Sequence, residues 1–153
     1  MGCSGDAAAQ MGHTFIYRGW EVETAGNPLA HAILRGFVNR HGEALPNYHY
    51  EDLEHLYWSY ERGGLRNMAL IVDANHSNSA KRYDQQPRIC KEVLHSCRHS
   101  SHIREMVKGF MIESYLEEGS QKIGEGIYGK SITDACIGWK DTERLVLEIA
   151  ELI

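Results

Sequence analysis

The chain has 153 residues, enough for one domain with a real core. Hydrophobic residues make up 42% and charged residues 24%, an ordinary balance for a soluble globular protein, and no apolar run approaches the ~20 residues that span a bilayer. The net charge of −5 argues against nucleic acid as a partner, because phosphate binding needs a basic face.

Residues 1–12 are small and polar without periodicity, and irregular chain is expected there. Met1-Gly2-Cys3 opens like a myristoylation signal, but Asp6 stands where Ser or Thr is required, so no lipid anchor is read. No signal peptide is visible, and a cytoplasmic location is expected. Thr14–Tyr17 and Trp20–Thr24 are short β-prone runs around Arg18-Gly19, a hairpin pattern. Ala25–Pro28 is a turn, and His31–Leu34 is an apolar strand ending at Arg35-Gly36. Residues 37–48 read as a loop.

From Tyr50 to Arg62 the spacing of Leu53, Leu56, Tyr57 and Tyr60 predicts a helix, stopped by Gly63-Gly64. Met68–Val72 is continuously apolar, as in a strand covered on both faces. Ser77-Asn78-Ser79 offers caps for a helix over about Ala80 to Cys97, with Ile89, Val93, Leu94 and Cys97 on its apolar side. Pro87 should kink that helix or mark its true first turn. His99–His102 reads as a polar connection and Ile103–Val107 as a short helical piece. Gly109–Ile112 is a strand, residues 117–130 are a long Gly-rich loop, and Asp141 caps a last helix over Thr142–Leu152. That helix should turn Leu145, Val146, Ile149 and Leu152 inward. Strands alternating with helices imply right-handed βαβ units and a parallel sheet of three core strands.

Cys3, Cys90, Cys97 and Cys136 show no C-x-x-C spacing. Cys90 and Cys97 sit ~10 Å apart along a predicted helix, too far for a disulfide, so the set is read as reduced thiols. The tyrosines Tyr48, Tyr50, Tyr57 and Tyr60 lack an accompanying basic patch and read as core and helix surface rather than a base-stacking platform.

Three potential metal ligands stand at or just beyond the ends of apolar or small-residue runs: His76 after Met68–Val72, Glu113 after Gly109–Ile112, and Asp134 after Gly129–Thr133. In parallel α/β proteins the carboxyl ends of strands converge on one face, so these three can meet as a divalent-cation site. Each has a plainer reading. His76 is a surface-loop histidine or a ligand whose other ring nitrogen is held by a neighbour such as Asp73, which could instead cap the next helix. Glu113 is an exposed or partnered carboxylate, and Asp134 a helix cap. Arg35 is either a surface ion pair or a clamp for phosphate or carboxylate. Lys81 and Lys130 are weaker phosphate candidates.

Five segments occur in order: Leu34-Arg35-Gly36, Pro46-Asn47-Tyr48, Val72-Asp73-x-x-His76-x-Asn78-Ser79-x-Lys81, Ile112-Glu113-Ser114-x-Leu116-x-Glu118-Gly119-x-Gln121, and the unbroken run Tyr128–Trp139. From about residue 12 to 153 the chain closely resembles the C-terminal part of type I 3-deoxy-D-arabino-heptulosonate 7-phosphate (DAHP) synthase. The resemblance implies condensation of phosphoenolpyruvate with erythrose 4-phosphate, the first step of the shikimate route to aromatic amino acids. It implies an α/β fold, the last three strands and helices of a (β/α)₈ barrel over residues 13–153, with the 14–24 hairpin matching an added strand pair. The family's metal is held by a Cys, a His, a Glu and an Asp. His76, Glu113 and Asp134 match the last three, and the ion would be Mn, Fe, Zn or Co. Arg35 matches the arginine that holds the phosphoenolpyruvate phosphate.

A complete barrel takes about 250 residues, and several family features are missing. The Gly-Pro-Cys-Ser motif of the metal cysteine is absent, and Cys3 lies too late in the fold order to replace it. The Lys-Pro-Arg-Thr segment for erythrose 4-phosphate is absent as well, and Asn75 stands where the family has serine. The expectation is a fragment inactive without an N-terminal half, pairing with a complementary chain or with itself. The alternative is a non-catalytic remnant or interaction subunit of a full-length synthase.

Overall fold

A computed structural model describes residues 9–153; the N-terminal residues that include Cys3 and the Met1-Gly2 pair lie outside the described residues. Residues 9–11 are helical, where irregular chain is expected, because buried Gln10 anchors them: its amide donates to the carbonyls of Ala30 (2.9 Å) and Asn67 (3.0 Å) and accepts from the Asn67 N–H (3.1 Å).

Strands β1 (Thr14–Tyr17) and β2 (Trp20–Glu23) form the expected antiparallel hairpin. Arg18 and Gly19 both carry positive φ (50° and 83°), the backbone of a two-residue type I′ turn. After β3 (Ala32–Leu34), the segment expected as a loop contains a second small ladder, β4 (Phe37–Val38) with β5 (Ala44–Leu45). Two-residue strands are below the length at which alternation is legible.

Helix α1 (Tyr50–Gly63) matches its predicted span. The Asp52 carboxylate accepts the His49 N–H at 3.2 Å at its start, and Gly64 ends it in the left-handed region at φ 60°. Strand β6 (Leu70–Asp73) follows. The next helix does not begin at Ala80. Residues 77–81 form turns, Tyr83–Gln85 is a 3₁₀ turn, and α2 spans Gln86–His99 with Pro87 in its first turn. Ala80 and Lys81 have positive φ (51° and 61°), which no helix accepts.

Ser100 ends α2 and caps α3 (Ser101–Met106), its hydroxyl accepting the Ile103 N–H at 3.3 Å, so the expected polar connection is one residue. Strand β7 (Val107–Met111) comes next. The Gly-rich segment is not wholly loop: β8 (Glu117–Ser120) pairs in parallel with β9 (Lys130–Ser131). The Gln121 side chain staples the segment between them, donating to the carbonyls of Ile127 and Lys130 and accepting the Ile127 N–H. The last helix, α4 (Trp139–Leu152), starts from Gly138, which corrects the Asp141 cap; Asp141 lies in the first turn and pairs with Arg144 at 2.8 Å.

Strands β3, β6 and β7 form a parallel three-stranded sheet in chain order, as the alternation of elements predicts. One face carries Ala32, Leu70 and Val72, all buried against Leu53, Leu56 and Tyr60 of α1, Ile89 and Val93 of α2, Ile103 and Met106 of α3, and Leu145 of α4. Val146 is exposed and Ile149 only partly buried, so α4 offers a narrower apolar stripe than its sequence suggests. By the period of two, Ile33, Ile71 and Met111 point the other way. Cys90, Cys97 and Cys136 are free thiols. No helix among the described residues is long and apolar enough to cross a membrane.

Candidate metal centre

The same alternation that turns Ile33, Ile71 and Met111 to the open face carries on to Arg35, Asp73 and Glu113 at the carboxyl ends of β3, β6 and β7. Three of the polar residues singled out from the sequence therefore share one rim with His76, and the turn after β9 brings Asp134 to it.

His76, Glu113 and Asp134 come together. One donor atom from each lies within 4.8 Å of the others, and all three residues are partly buried. His76 Nε2 is 3.4 Å from Glu113 Oε1 and 3.6 Å from Asp134 Oδ2. Two ligands held ~2.1 Å from one ion at a tetrahedral angle stand about 3.4 Å apart, so the spacing suits a single divalent cation. One imidazole and two carboxylates form a mixed N/O set of the kind that Mn, Fe, Zn and Co accept, and three protein donors leave coordination positions open.

His76 is held by strain and by a carboxylate. Its φ of 46° is rare for a residue with a Cβ and arises in the tight turns of residues 75–81, where Lys81 N–H donates to the His76 carbonyl at 2.7 Å. Asp73 Oδ2 lies 2.8 Å from His76 Nδ1, where a carboxylate can only accept, so Nδ1–H points to Asp73 and Nε2 faces the two acids. The Asp73 side chain is fully buried, and its Oδ1 accepts the Asn75 N–H at 2.9 Å. With the next α-helix starting at Gln86, Asp73 is a partner of His76 and not a helix cap. Asp134 caps no helix either, since α4 begins at Trp139.

Glu113 is aimed by a residue that sequence reasoning passes over. Gln86, completely buried, donates through Nε2 to the Glu113 carbonyl (2.9 Å) and accepts the Glu113 N–H (2.8 Å). The backbone after Asp134 is tied to the same place: Ile137 N–H donates to the Glu113 carbonyl at 3.1 Å and Tyr115 N–H to the Ile137 carbonyl at 3.0 Å. A glutamine ahead of a proline reads as an exposed first-turn residue, and nothing in its local pattern announces this role.

Asn78 and Asn47 do similar work on the other side. Asn78 Nδ2 donates to the carbonyls of Leu34 (3.0 Å) and Asp73 (2.8 Å), bridging the ends of β3 and β6, and its Oδ1 accepts the Asn47 N–H (3.0 Å). Asn47 Oδ1 in turn accepts the Gly36 N–H at 2.8 Å. Gly36 has φ 70°, and a Cβ there would stand 2.7 Å from both the Leu45 carbonyl oxygen and Ser77 Cβ, so this packing requires glycine.

Arg35 lies beside Asp73, Nε to Oδ2 3.5 Å, with its side chain 55% exposed. The plain ion pair is thus present, and the exposed part of the guanidinium still faces solvent. Lys81 Nζ pairs with Asp134 at 3.3 Å, whereas Lys130 runs over Gly119 near the Tyr83 hydroxyl. Burial pushes the Cys136 thiol up, the Ser131 hydroxyl pulls it down, and the charges of Glu113 and Asp134 add to the rise. Tyr48 and Tyr60 are core residues, Tyr57 stacks on His102, and Tyr50 is exposed, as expected of a packed helix.

The profile of the DAHP synthetase I family matches residues 4–147. The phospho-2-dehydro-3-deoxyheptonate aldolase of Haemophilus influenzae is 38% identical over 150 residues, 96% of this chain and 38% of that protein. The Trp-sensitive phospho-2-dehydro-3-deoxyheptonate aldolase of Escherichia coli K12 is 38% identical over 134 residues, 86% of this chain and 36% of that protein. Among solved structures, the phospho-2-dehydro-3-deoxyheptonate aldolase of Francisella tularensis superimposes with a TM-score of 0.81 at 26% identity, over 99% of this chain and 43% of that one. The chain spans little more than a third of the curated relatives it matches, 38% and 36% of these two.

Proposed function

The chain belongs to the DAHP synthetase I family, and from that premise we propose that it forms the C-terminal part of a (β/α)₈-barrel DAHP synthase, supplying three metal ligands and one phosphate-binding arginine. The observation that carries this reading is the meeting of His76, Glu113 and Asp134 donors within 4.8 Å at the carboxyl ends of parallel strands. In such a barrel the exposed face with Ile33, Ile71 and Met111 is the interior wall, and strands from outside these residues cover it.

The reaction joins phosphoenolpyruvate to erythrose 4-phosphate, taking up one water and releasing inorganic phosphate. His76 presents Nε2 because Asp73 holds the Nδ1 proton, and Glu113 and Asp134 add two negative charges that favour a divalent cation. When bound, that ion supplies Lewis acidity toward a substrate oxygen. The Arg35 guanidinium offers paired donors to the phosphate of phosphoenolpyruvate. The Lys-Pro-Arg-Thr segment that would take the erythrose 4-phosphate end is not in this sequence, so turnover needs the remaining strands, in the same polypeptide or in a second one.

The test is an assay of phosphoenolpyruvate consumption by the purified chain, alone and mixed with the first five strands of a full-length relative. Turnover is expected only in the mixture with manganese or cobalt present, and His76→Ala should abolish it. Robust turnover by the 153-residue chain alone would overturn the requirement for a complement. A second reading, a non-catalytic subunit that docks on a full-length synthase, is favoured by the bare apolar sheet face alone. Binding to the intact synthase without any gain of activity with the five-strand complement would select it.

A further inference from the structure

Asp73 stands outside the three-donor group, yet both functions assigned to this chain lean on it. Its Oδ2 is 2.8 Å from His76 Nδ1 and 3.5 Å from Arg35 Nε, while its Oδ1 is taken by the Asn75 N–H at 2.9 Å. The side chain is completely buried, so water does not compete for either oxygen. One carboxylate oxygen therefore serves the metal-ligand histidine and the anion-facing arginine together.

We propose that Asp73 is a positioning residue that couples the two sites, so that the charge state around Arg35 sets how firmly His76 holds an ion. The proposal rests on the reading of Arg35 and His76 given above. The guanidinium draws on the negative charge of Oδ2. An anion bound at Arg35, whether phosphate or carboxylate, satisfies that guanidinium and returns Oδ2 to the imidazole N–H. A stronger acceptor at Nδ1 makes Nε2 the more basic donor. The added negative charge also favours a cation at the rim. Linkage makes the effect reciprocal: an ion on His76 must favour the anion at Arg35 by the same factor.

Asparagine at this position is the informative substitution. Aspartate presents two acceptors, one to the Asn75 N–H and one to His76. An asparagine has one acceptor and one donor, and the backbone N–H claims the acceptor. Its amide N–H groups then face His76 Nδ1 and select the imidazole protonated on Nε2, which cannot ligate there.

Cobalt(II) binding to the full chain, followed by visible absorption, and the imidazole tautomer of His76, followed by heteronuclear NMR, test the idea. Asp73→Asn should weaken cobalt about 10- to 100-fold and move the His76 proton from Nδ1 to Nε2. Arg35→Ala should tighten cobalt about fivefold with Asp73 present and by less than about twofold in the Asp73→Asn background. An equal effect of Arg35→Ala in both backgrounds means simple through-space repulsion and overturns the coupling. A native His76 protonated on Nε2 overturns the positioning role. If no variant binds cobalt, the metal reading itself falls. The metal-free NMR comparison still decides the inference, because Arg35→Ala must shift the His76 Nδ1 resonance and no shift overturns it. That comparison needs no Asp73 variant, so a folding failure of Asp73→Asn does not remove the test.

Discussion

On the helix side of the sheet Leu70 and Val72 are fully buried, whereas on the opposite side Ile33 and Met111 are 44% and 39% exposed. The same three strands thus carry one finished face and one bare one. The helix face carries the buried core, and the polar rim at the end of the bare face gathers His76, Glu113 and Asp134. Backbone ties and buried amides hold these side chains together without enclosing them.

The sharpest way to break this contrast is to cut into the finished face. Leu70→Ala removes a side chain packed among α1, α2 and α3, and should cost about 3–5 kcal/mol of unfolding free energy by urea titration, from lost burial and the cavity left behind. A loss below about 1 kcal/mol would mean that the helix layer is loose.

Next comes the rim. Gln86→Leu keeps the volume but strips the Glu113 N–H and carbonyl of their buried amide partners. The expected cost is about 2–4 kcal/mol, together with weaker divalent-metal binding because Glu113 is no longer aimed. Retained metal affinity in a folded variant would show that the β7 backbone alone directs the carboxylate.

The finished face also has a pH signature. Burial lifts the Cys90 thiol in α2 from 9.0 to about 12. Because the folded value lies above the unfolded one, this contribution is whole below pH 9.0 and drains away as the pH climbs toward 12. At pH 10 the loss is about 1.4 kcal/mol relative to a Cys90→Ala chain measured alongside. Parallel curves for the two proteins between pH 9 and 11 would place Cys90 in contact with water.

Much of this organisation was legible in the residues. The three core strands and α1 announced themselves by apolar runs and by the spacing of Leu53, Leu56 and Tyr60. The rim followed from one rule, that strand ends converge, applied to His76, Glu113 and Asp134. What escaped was set by long-range polar contacts. Ser77–Ser79 look like a helix cap, but Asn78 spends its amide on the ends of β3 and β6, and the helix waits for Pro87. Gln86 and Asn47 act through single hydrogen bonds to distant backbone, which leave no periodic trace. The β8–β9 pair exists because Gln121 reaches across nine residues to Lys130, a contact that a glycine-rich composition conceals.

The smallest expected effect probes the bare face. An aspartate buried on a sheet would leave a charge without a partner and unfold most domains. On the exposed side it meets water, so Ile33→Asp should change the unfolding free energy by no more than about 0.5 kcal/mol. Exposed apolar area of this extent also drives association. The native chain should then elute larger on size exclusion as its concentration rises, and Ile33→Asp should suppress that shift. If the substitution instead costs as much as Leu70→Ala, the face is already covered in solution by another copy. In that case the midpoint of native unfolding must rise with protein concentration, which separates a covered face from an unexpectedly rigid one.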